Sequence, residues 1–302
     1  MHNSIRWSFI AIILVGTWLN TLFAQSEKGH YVPGVEGIKA ASLPPPGVYF
    51  RWYHAFYGAN TLKDRNGNKL PVDFKVNVYA MANRLIWITD KKFLGANFGM
   101  DVLVPFIRTD LKIGAMGLAD NEFSLGDIYF EPFLLSWHGP LYDAGFGVGF
   151  YAPTGQYDKT KPASAGQDFW TTMITFGVTR YFDTAKTWSF SILDRYEINS
   201  EKSDTKVKPG QDFLFEWGLA KNVRKFWDFG LSGYYLWQVT GDSGADVYWD
   251  TKVHDRVFSL GPEASVFIMK AKAFLSLRTQ WEFAARDRTE GHITTITFTK
   301  IF

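Results

Sequence analysis

The chain has 302 residues, with 32 Lys and Arg against 30 Asp and Glu, and its formal net charge of +2 gives no case for nucleic acid as a partner. Aromatic residues make up 18%, as 27 Phe, 14 Tyr and 12 Trp, yet mean hydropathy is slightly negative; this excludes a bundle of apolar membrane helices and suits strands with one greasy and one wet face. Cysteine is absent, so no disulfide framework is expected.

Arg6 followed by the apolar run Trp7 to Leu19 and the small-residue end Leu22-Phe23-Ala24 reads as a secretory signal peptide over residues 1–24, cleaved after Ala24. The alternative, an N-terminal membrane anchor, needs a longer apolar run of about 20 residues. Residues 25–46 show no strand pattern. Pro33, Gly29, Gly34, Gly37 and the triple Pro44-Pro45-Pro46 mark a separate segment, expected as a periplasmic arm or a plug tucked into the periplasmic half of a lumen.

From residue 47 to Phe302 one unit repeats: an alternating run, a short turn, another run, a long polar loop. In Val72 to Ala82, residues Val72, Phe74, Val76, Val78 and Ala80 fall on one face, expected toward lipid, and Asp73, Lys75, Asn77 and Tyr79 on the other. Twelve such runs are expected: Val48–Tyr57, Val72–Ile88, Phe93–Ile107, Asp127–Trp137, Ala144–Ala152, Phe169–Phe182, Trp188–Ile198, Asp212–Ala220, Trp227–Val239, Val257–Ile268, Ala273–Phe283 and His292–Phe302. Short connections alternate with long ones, among them Arg108–Gly126 and the smaller Ala284–Gly291. Short turns belong at the periplasmic side and long loops outside, which fits an all-β, antiparallel, up-and-down transmembrane barrel of about twelve strands in the outer membrane of a Gram-negative bacterium. Such a length of strand with no helical stretch would be large for a soluble β-sandwich. Phe302, with Phe298 and Ile296 on one face, resembles the C-terminal signal recognised by the barrel-assembly machinery, although Lys300 interrupts the apolar spacing. Outer-membrane lipid is the surrounding partner.

Parity assigns the lumen. Tyr49, Arg51, Tyr53, Asp73, Lys75, Asp101, Asp127, Glu131, Arg195, Glu216, Glu263, Arg278 and Glu282 are expected to face inward, either paired across a narrow lumen or lining a polar track for a solute. Gly145, Gly147 and Gly149 fall on the inward face of one strand and leave room for a plug or a passing solute.

Enzyme chemistry finds little support. A His-x-Ser pair, the nucleophile and base of barrel hydrolases, occurs at His2 and Ser4, inside the signal peptide, and His254-Asp255 points to opposite faces of a strand. No histidine cluster suggests a metal and no glycine loop a nucleotide, so no cofactor is expected.

Several segments resemble a known family: Gly29-His30-Tyr31-Val32-Pro33-Gly34, then Pro44-Pro45-Pro46-Gly47-Val48-Tyr49; Gly126-Asp127-Ile128-Tyr129 with Glu131-Pro132 and Trp137-His138; Ala152-Pro153-Thr154-Gly155-Gln156-Tyr157-Asp158; and Gly261-Pro262-Glu263. Together they are similar to the "MetA-pathway of phenol degradation" outer-membrane family, in particular its SphA-like branch. The resemblance marks Pro153, Thr154, Gly155, Tyr157 and Asp158 as a family loop motif. It implies passive uptake of small hydrophobic, aromatic or lipid-like compounds. The alternative function is a structural or surface-binding barrel that transports nothing.

Overall fold

A computed structural model describes residues 28 to 302; the expected signal peptide and the start of the arm lie outside the described residues. The strands are β1 (Gly47–Leu62), β2 (Phe74–Phe93), β3 (Ala96–Ile113), β4 (Leu118–Leu125), β5 (Ile128–His138), β6 (Tyr142–Ala152), β7 (Thr171–Tyr181), β8 (Trp188–Asn199), β9 (Asp212–Val223), β10 (Trp227–Gln238), β11 (Arg256–Ile268), β12 (Ala273–Arg286) and β13 (Thr289–Ile301). Each pairs antiparallel with its neighbours, and β1 pairs with both β2 and β13, so the sheet closes on itself. β4 and β5 share one position in the ring: the outer end of β3 pairs with β4 and its periplasmic end with β5. The result is a closed twelve-strand barrel, the count the alternating runs predict.

The pairing carries parity around the wall. Tyr49, Arg51, Tyr53, Ala55 and Tyr57 point inward from β1, opposite Ile86, Arg84, Ala82, Ala80 and Val78 of β2. The intervening Trp52 and Phe56, with Leu85 and Trp87, are exposed, as an apolar face needs to be to meet hydrocarbon. Exposed aromatics gather toward both rims: Phe93, Phe182, Trp188 and Trp227 near the short turns, and Trp170, Trp237, Trp281 and Phe283 toward the long loops. Such girdles sit at the interfaces of outer-membrane barrels.

Three local readings need correction. On β2 the inward residues are the even ones. Val76 is buried and Val78 and Ala80 share its face, whereas Asp73, Lys75 and Asn77 lie exposed on the outside. The outer ends of β2 and β3 rise past the aromatic band. There the outer face meets water instead of lipid, so the polar residues turn outward and the apolar ones inward. Val72 accordingly packs with Leu62 and Leu70, against Phe74 and Ile113, while Asp73 pairs with Lys112 in solvent. Residues 118–125, expected in a loop, form β4, a hairpin on β3 closed by the turn at Gly114–Met116 and a left-handed Gly117. Its sequence lacks apolar alternation because water reaches both of its faces. The connection expected over Ala284–Gly291 shrinks to Asp287 and Arg288 between β12 and β13.

Candidate functional site: a lumen filled by the arm

Residues 28–46 run inside the barrel from its outer end to its periplasmic end. His30 sits at the outer end, where its Nε2 donates to the Asp127 carboxylate (2.8 Å) and its Nδ1 lies 2.7 Å from Thr171 Oγ1. The ring stacks on Tyr151 with centroids 4.8 Å apart and meets the edge of Phe169 at 4.5 Å. Tyr31 follows, buried, its hydroxyl donating to Glu216 and accepting from Arg195 Nη1 (2.8 Å), with the guanidinium 4.0 Å over its ring. Glu36 lies halfway down, among Arg51, Arg84, Arg195 and Tyr53. Lys39 reaches Asp228 (2.8 Å), Ser42 meets Tyr181, and Pro45 accepts from the Tyr49 hydroxyl near the start of β1. The expectation of a segment confined to the periplasmic half is therefore corrected: the arm spans the lumen.

The reason lies in the backbone. A segment with this proline and glycine content cannot join the sheet, so its N–H and C=O groups need other partners inside the barrel. The wall supplies them from side chains. Glu197 accepts from Tyr31 N (3.0 Å), Glu263 from Ile38 N (2.9 Å) and Ser191 from Ala41 N (3.1 Å), while Arg278 donates to the Val35 carbonyl (2.6 Å). Gly34 and Gly37 turn the arm with φ of +85° and +79°, a conformation that side-chain-bearing residues rarely adopt.

The wall residues expected inward divide as follows. Tyr49, Arg51, Tyr53, Asp101, Asp127, Glu131, Arg195, Glu216, Glu263, Arg278 and Glu282 project into the lumen. There Arg84 binds Asp101 (2.6 Å), Arg278 binds Glu263 (3.2 Å), and Glu282 accepts from Tyr57 and Tyr234 (both 2.7 Å). Asp73 and Lys75 do not belong with them, for the reason given above. Arg84 does belong: it is the partner of Asp101, Glu131 and Glu36. The apolar side of the Val72–Ala82 alternation conceals it by assigning even positions of β2 to lipid.

Of the three strand-β6 glycines, Gly145 seats the arm: a Cβ there would stand 3.1 Å from Leu43. Gly147 and Gly149 instead make room for wall side chains, Glu131 and Tyr129. The tighter arm seats lie elsewhere. A Cβ at Gly218 would approach Ile38 Cα to 2.4 Å, and one at Gly177 would approach Ala41 Cβ to 2.7 Å.

The loop motif builds the outer end. Thr154 Oγ1 accepts from Ile128 N (2.9 Å), and Gly155 N donates to Asp127 (2.8 Å), as does Gln167 N (2.7 Å). Gly155 packs on the backbones of Gly126 and Gly166, where a Cβ would clash. Pro153 leads from β6 into this turn. Tyr157 carries Lys202 over its ring at 5.4 Å, and Asp158 caps Thr160 through N–H (2.8 Å) and hydroxyl (2.7 Å). The motif thus fixes Asp127, and Asp127 fixes His30.

The upper lumen is tyrosine-rich: Tyr31, Tyr129, Tyr151, Tyr234, Met173, Leu214, Leu236, Val257 and Ile293 form one cluster, with Tyr57 and Val35 against it, interspersed with the buried polar groups of Glu197, Asp212, Gln238 and Asp255. Sequence reasoning missed Tyr129, Tyr151 and Tyr234 as lining residues, although their inward parity was available.

Comparisons agree with the barrel. The structure superposes on the COG4313 outer membrane channel from Pseudomonas putida F1 with a TM-score of 0.77, at 15% identity, over 90% of this chain and 100% of that one. The translocator domain of autotransporter NalP from Neisseria meningitidis gives a TM-score of 0.52 at 11% identity, over 87% of this chain and 91% of that one. These likenesses show the outer-membrane barrel fold. The comparison with curated proteins gives no match. The sequence model of the family described as "MetA-pathway of phenol degradation" matches residues 59–298, nearly the whole barrel, and the chain belongs to that family.

Proposed function

We propose that this barrel is an outer-membrane channel for passive uptake of small hydrophobic or aromatic compounds, with residues 28–46 as its displaceable stopper. The observation that carries the reading is the lining of the outer lumen. Here Tyr57, Tyr129, Tyr151 and Tyr234 line the path together with Leu214, Leu236, Val257 and Ile293, a surface suited to aromatic and aliphatic bodies. The arm is held by hydrogen bonds, ion pairs and small apolar contacts without sheet pairing, so it can leave while the barrel stays closed. In this reading the chain is exported by a signal peptide cleaved after Ala24. The terminal strand ending at Phe302 presents the barrel to its assembly machinery, and the protein catalyses no reaction.

Proteoliposomes containing the full mature chain, challenged with a panel of aromatic and aliphatic solutes, test this. Faster entry of apolar solutes than of sugars of similar size is expected. A second reading, a barrel that transports nothing and works through its outer loops, is favoured by one observation: the arm fills the lumen from end to end. Uptake equal to that of empty liposomes across the panel, for the wild type and for a chain lacking residues 28–41, would establish that second reading.

A further inference from the structure

The middle of the lumen carries a site built for a carboxylate. Arg51 Nη1 reaches Glu36 Oε2 at 2.6 Å, Arg84 Nη1 reaches Oε1 at 3.0 Å, Arg195 Nη2 stands 3.6 Å from Oε1, and the Tyr53 hydroxyl donates to Oε1 at 3.1 Å. These donors come from three strands, β1, β2 and β8, and converge on one carboxylate whose side chain is only 5% exposed. The acceptor is not part of the wall. It belongs to the arm, which has no sheet pairing.

The wall holds the arginines in place independently of the arm. Arg84 uses Nη2 for Asp101 (2.6 Å) and Glu131 (3.4 Å), keeping Nη1 for Glu36. Arg195 keeps a wall partner in Glu216 through Nη1 (3.4 Å), the nitrogen that also donates to the Tyr31 hydroxyl (2.8 Å), and turns Nη2 to Glu36. Arg51 is anchored by Thr299 through Nε (3.3 Å), and among the described residues Glu36 is its one carboxylate partner. Withdrawal of the arm therefore leaves donors facing the lumen, with Arg51 lacking a counter-ion. A buried charge in that position demands replacement. Guanidinium forks fit the two oxygens of a carboxylate better than a single halide. Next to the site, the space occupied by Tyr31 and Val35 is walled by the tyrosine and aliphatic cluster, which would receive an apolar body.

We propose that Arg51, Arg84, Arg195 and Tyr53 form a binding site for an organic monocarboxylate with an apolar body, and that Glu36 occupies it as an internal substitute when the arm is seated. The proposal deepens the uptake reading and rests on it for the solute's route, but binding is measurable without flux.

The test uses the full mature chain with Glu36→Ala in planar bilayers and in detergent titrations, with benzoate and benzamide as probes of equal size. Benzoate is expected to bind Glu36→Ala about tenfold or more tighter than benzamide and to restore the quiet, low-conductance state of the wild type. Glu36→Ala combined with Arg51→Ala should lose that preference. Heat-modifiable migration establishes that each variant is folded, and Glu36→Ser, which also empties the site, serves if Glu36→Ala does not assemble. Equal affinity for the two probes, or a preference that survives the loss of Arg51, overturns the site. Benzoate binding with no benzoate uptake in proteoliposomes keeps the site and retires the uptake reading. Uptake that ignores the carboxylate retires the site and keeps the uptake reading.

Discussion

Asp127 and His30 lie 2.8 Å apart, joined by a charge-assisted hydrogen bond between the family loop and the tip of the arm. The same carboxylate takes the backbone N–H of Gly155 on one oxygen and that of Gln167 on the other. Loop geometry and arm position therefore share one side chain.

Asp127→Asn should separate the two. A carboxamide keeps one acceptor oxygen; with its NH2 in place of the oxygen that takes both His30 and Gln167, two of the three bonds are lost and a donor is turned on a donor. Hydrogen bonds to charged groups are worth roughly 1.5–3 kcal/mol, enough to loosen the arm's tip while β5 remains paired. Higher and noisier single-channel conductance is expected, with unchanged heat-modifiable migration. Conductance equal to wild type would mean that His30 does not hold the stopper.

The lipid face is tested by charge. Leu85 sits on the exposed outer face of β2, opposite Val102 and beside the exposed Trp87. Leu85→Arg should cost roughly 2–4 kcal/mol if it lies near the midplane. Asn77→Arg, on the same face but past the aromatic band, should cost about 0–1 kcal/mol, as near an interface. Equilibrium unfolding in lipid vesicles measures both. Equal costs would place the membrane boundary elsewhere on β2.

Most of the barrel is legible in the sequence because lipid and lumen impose opposite chemistry on alternate residues. That rule locates all twelve barrel strands and puts Arg51, Asp101, Arg195 and Arg278 inside. It fails where its cause ends. Past the bilayer, Val76 turns inward and Asp73 and Lys75 outward, because water now covers the outer wall. Extending that inverted outer segment down β2 also conceals Arg84. The arm is the other gap. Periodicity shows that 25–46 is not a strand and where glycine leaves room, but not which side chains satisfy its backbone. The wall carboxylate of Glu263 is visible as an inward residue, yet its partner, the N–H group of Ile38, carries no sequence mark.

The outer loop should respond to acid. The hydrogen bond from the Thr160 hydroxyl, reinforced by its N–H, holds the Asp158 carboxyl below the ordinary aspartate range. A depressed carboxyl value means the folded loop binds the anion's form more tightly. Its contribution is present above the ordinary value near about 3.9 and is lost as pH falls through the folded value. Pepsin cleavage within residues 156–166 should therefore rise as pH drops from about 4 toward about 2 relative to Asp158→Ala, which lacks the acceptor and should be cut at a pH-independent excess after correction for the protease's own profile. Parallel profiles for the two proteins would show that this carboxylate does not order the loop.

The wall glycines separate arm seating from ordinary packing. At Gly218 a Cβ would meet the Ile38 backbone, 2.4 Å from its Cα and 2.7 Å from its carbonyl oxygen. Backbone cannot swing aside, so either the arm or β9 must move. β9 is paired along its length with β8 and β10, whereas the arm is held by scattered contacts, so the arm should yield. Gly218→Val is expected to raise conductance and to open Lys39 to trypsin, with the barrel still heat-modifiable; overpacking of this kind typically costs about 1–3 kcal/mol. At Gly147 the obstacle is a different kind of group, the Glu131 carboxylate 2.2 Å from the built Cβ. That side chain can rotate, and the arm is not its nearest neighbour, so Gly147→Ala should leave Lys39 protected and conductance close to wild type. Similar trypsin cleavage in both variants would show that arm seating does not depend on the contact of Ile38 with Gly218, and the stopper would then be governed by its charged contacts at Glu36 and His30.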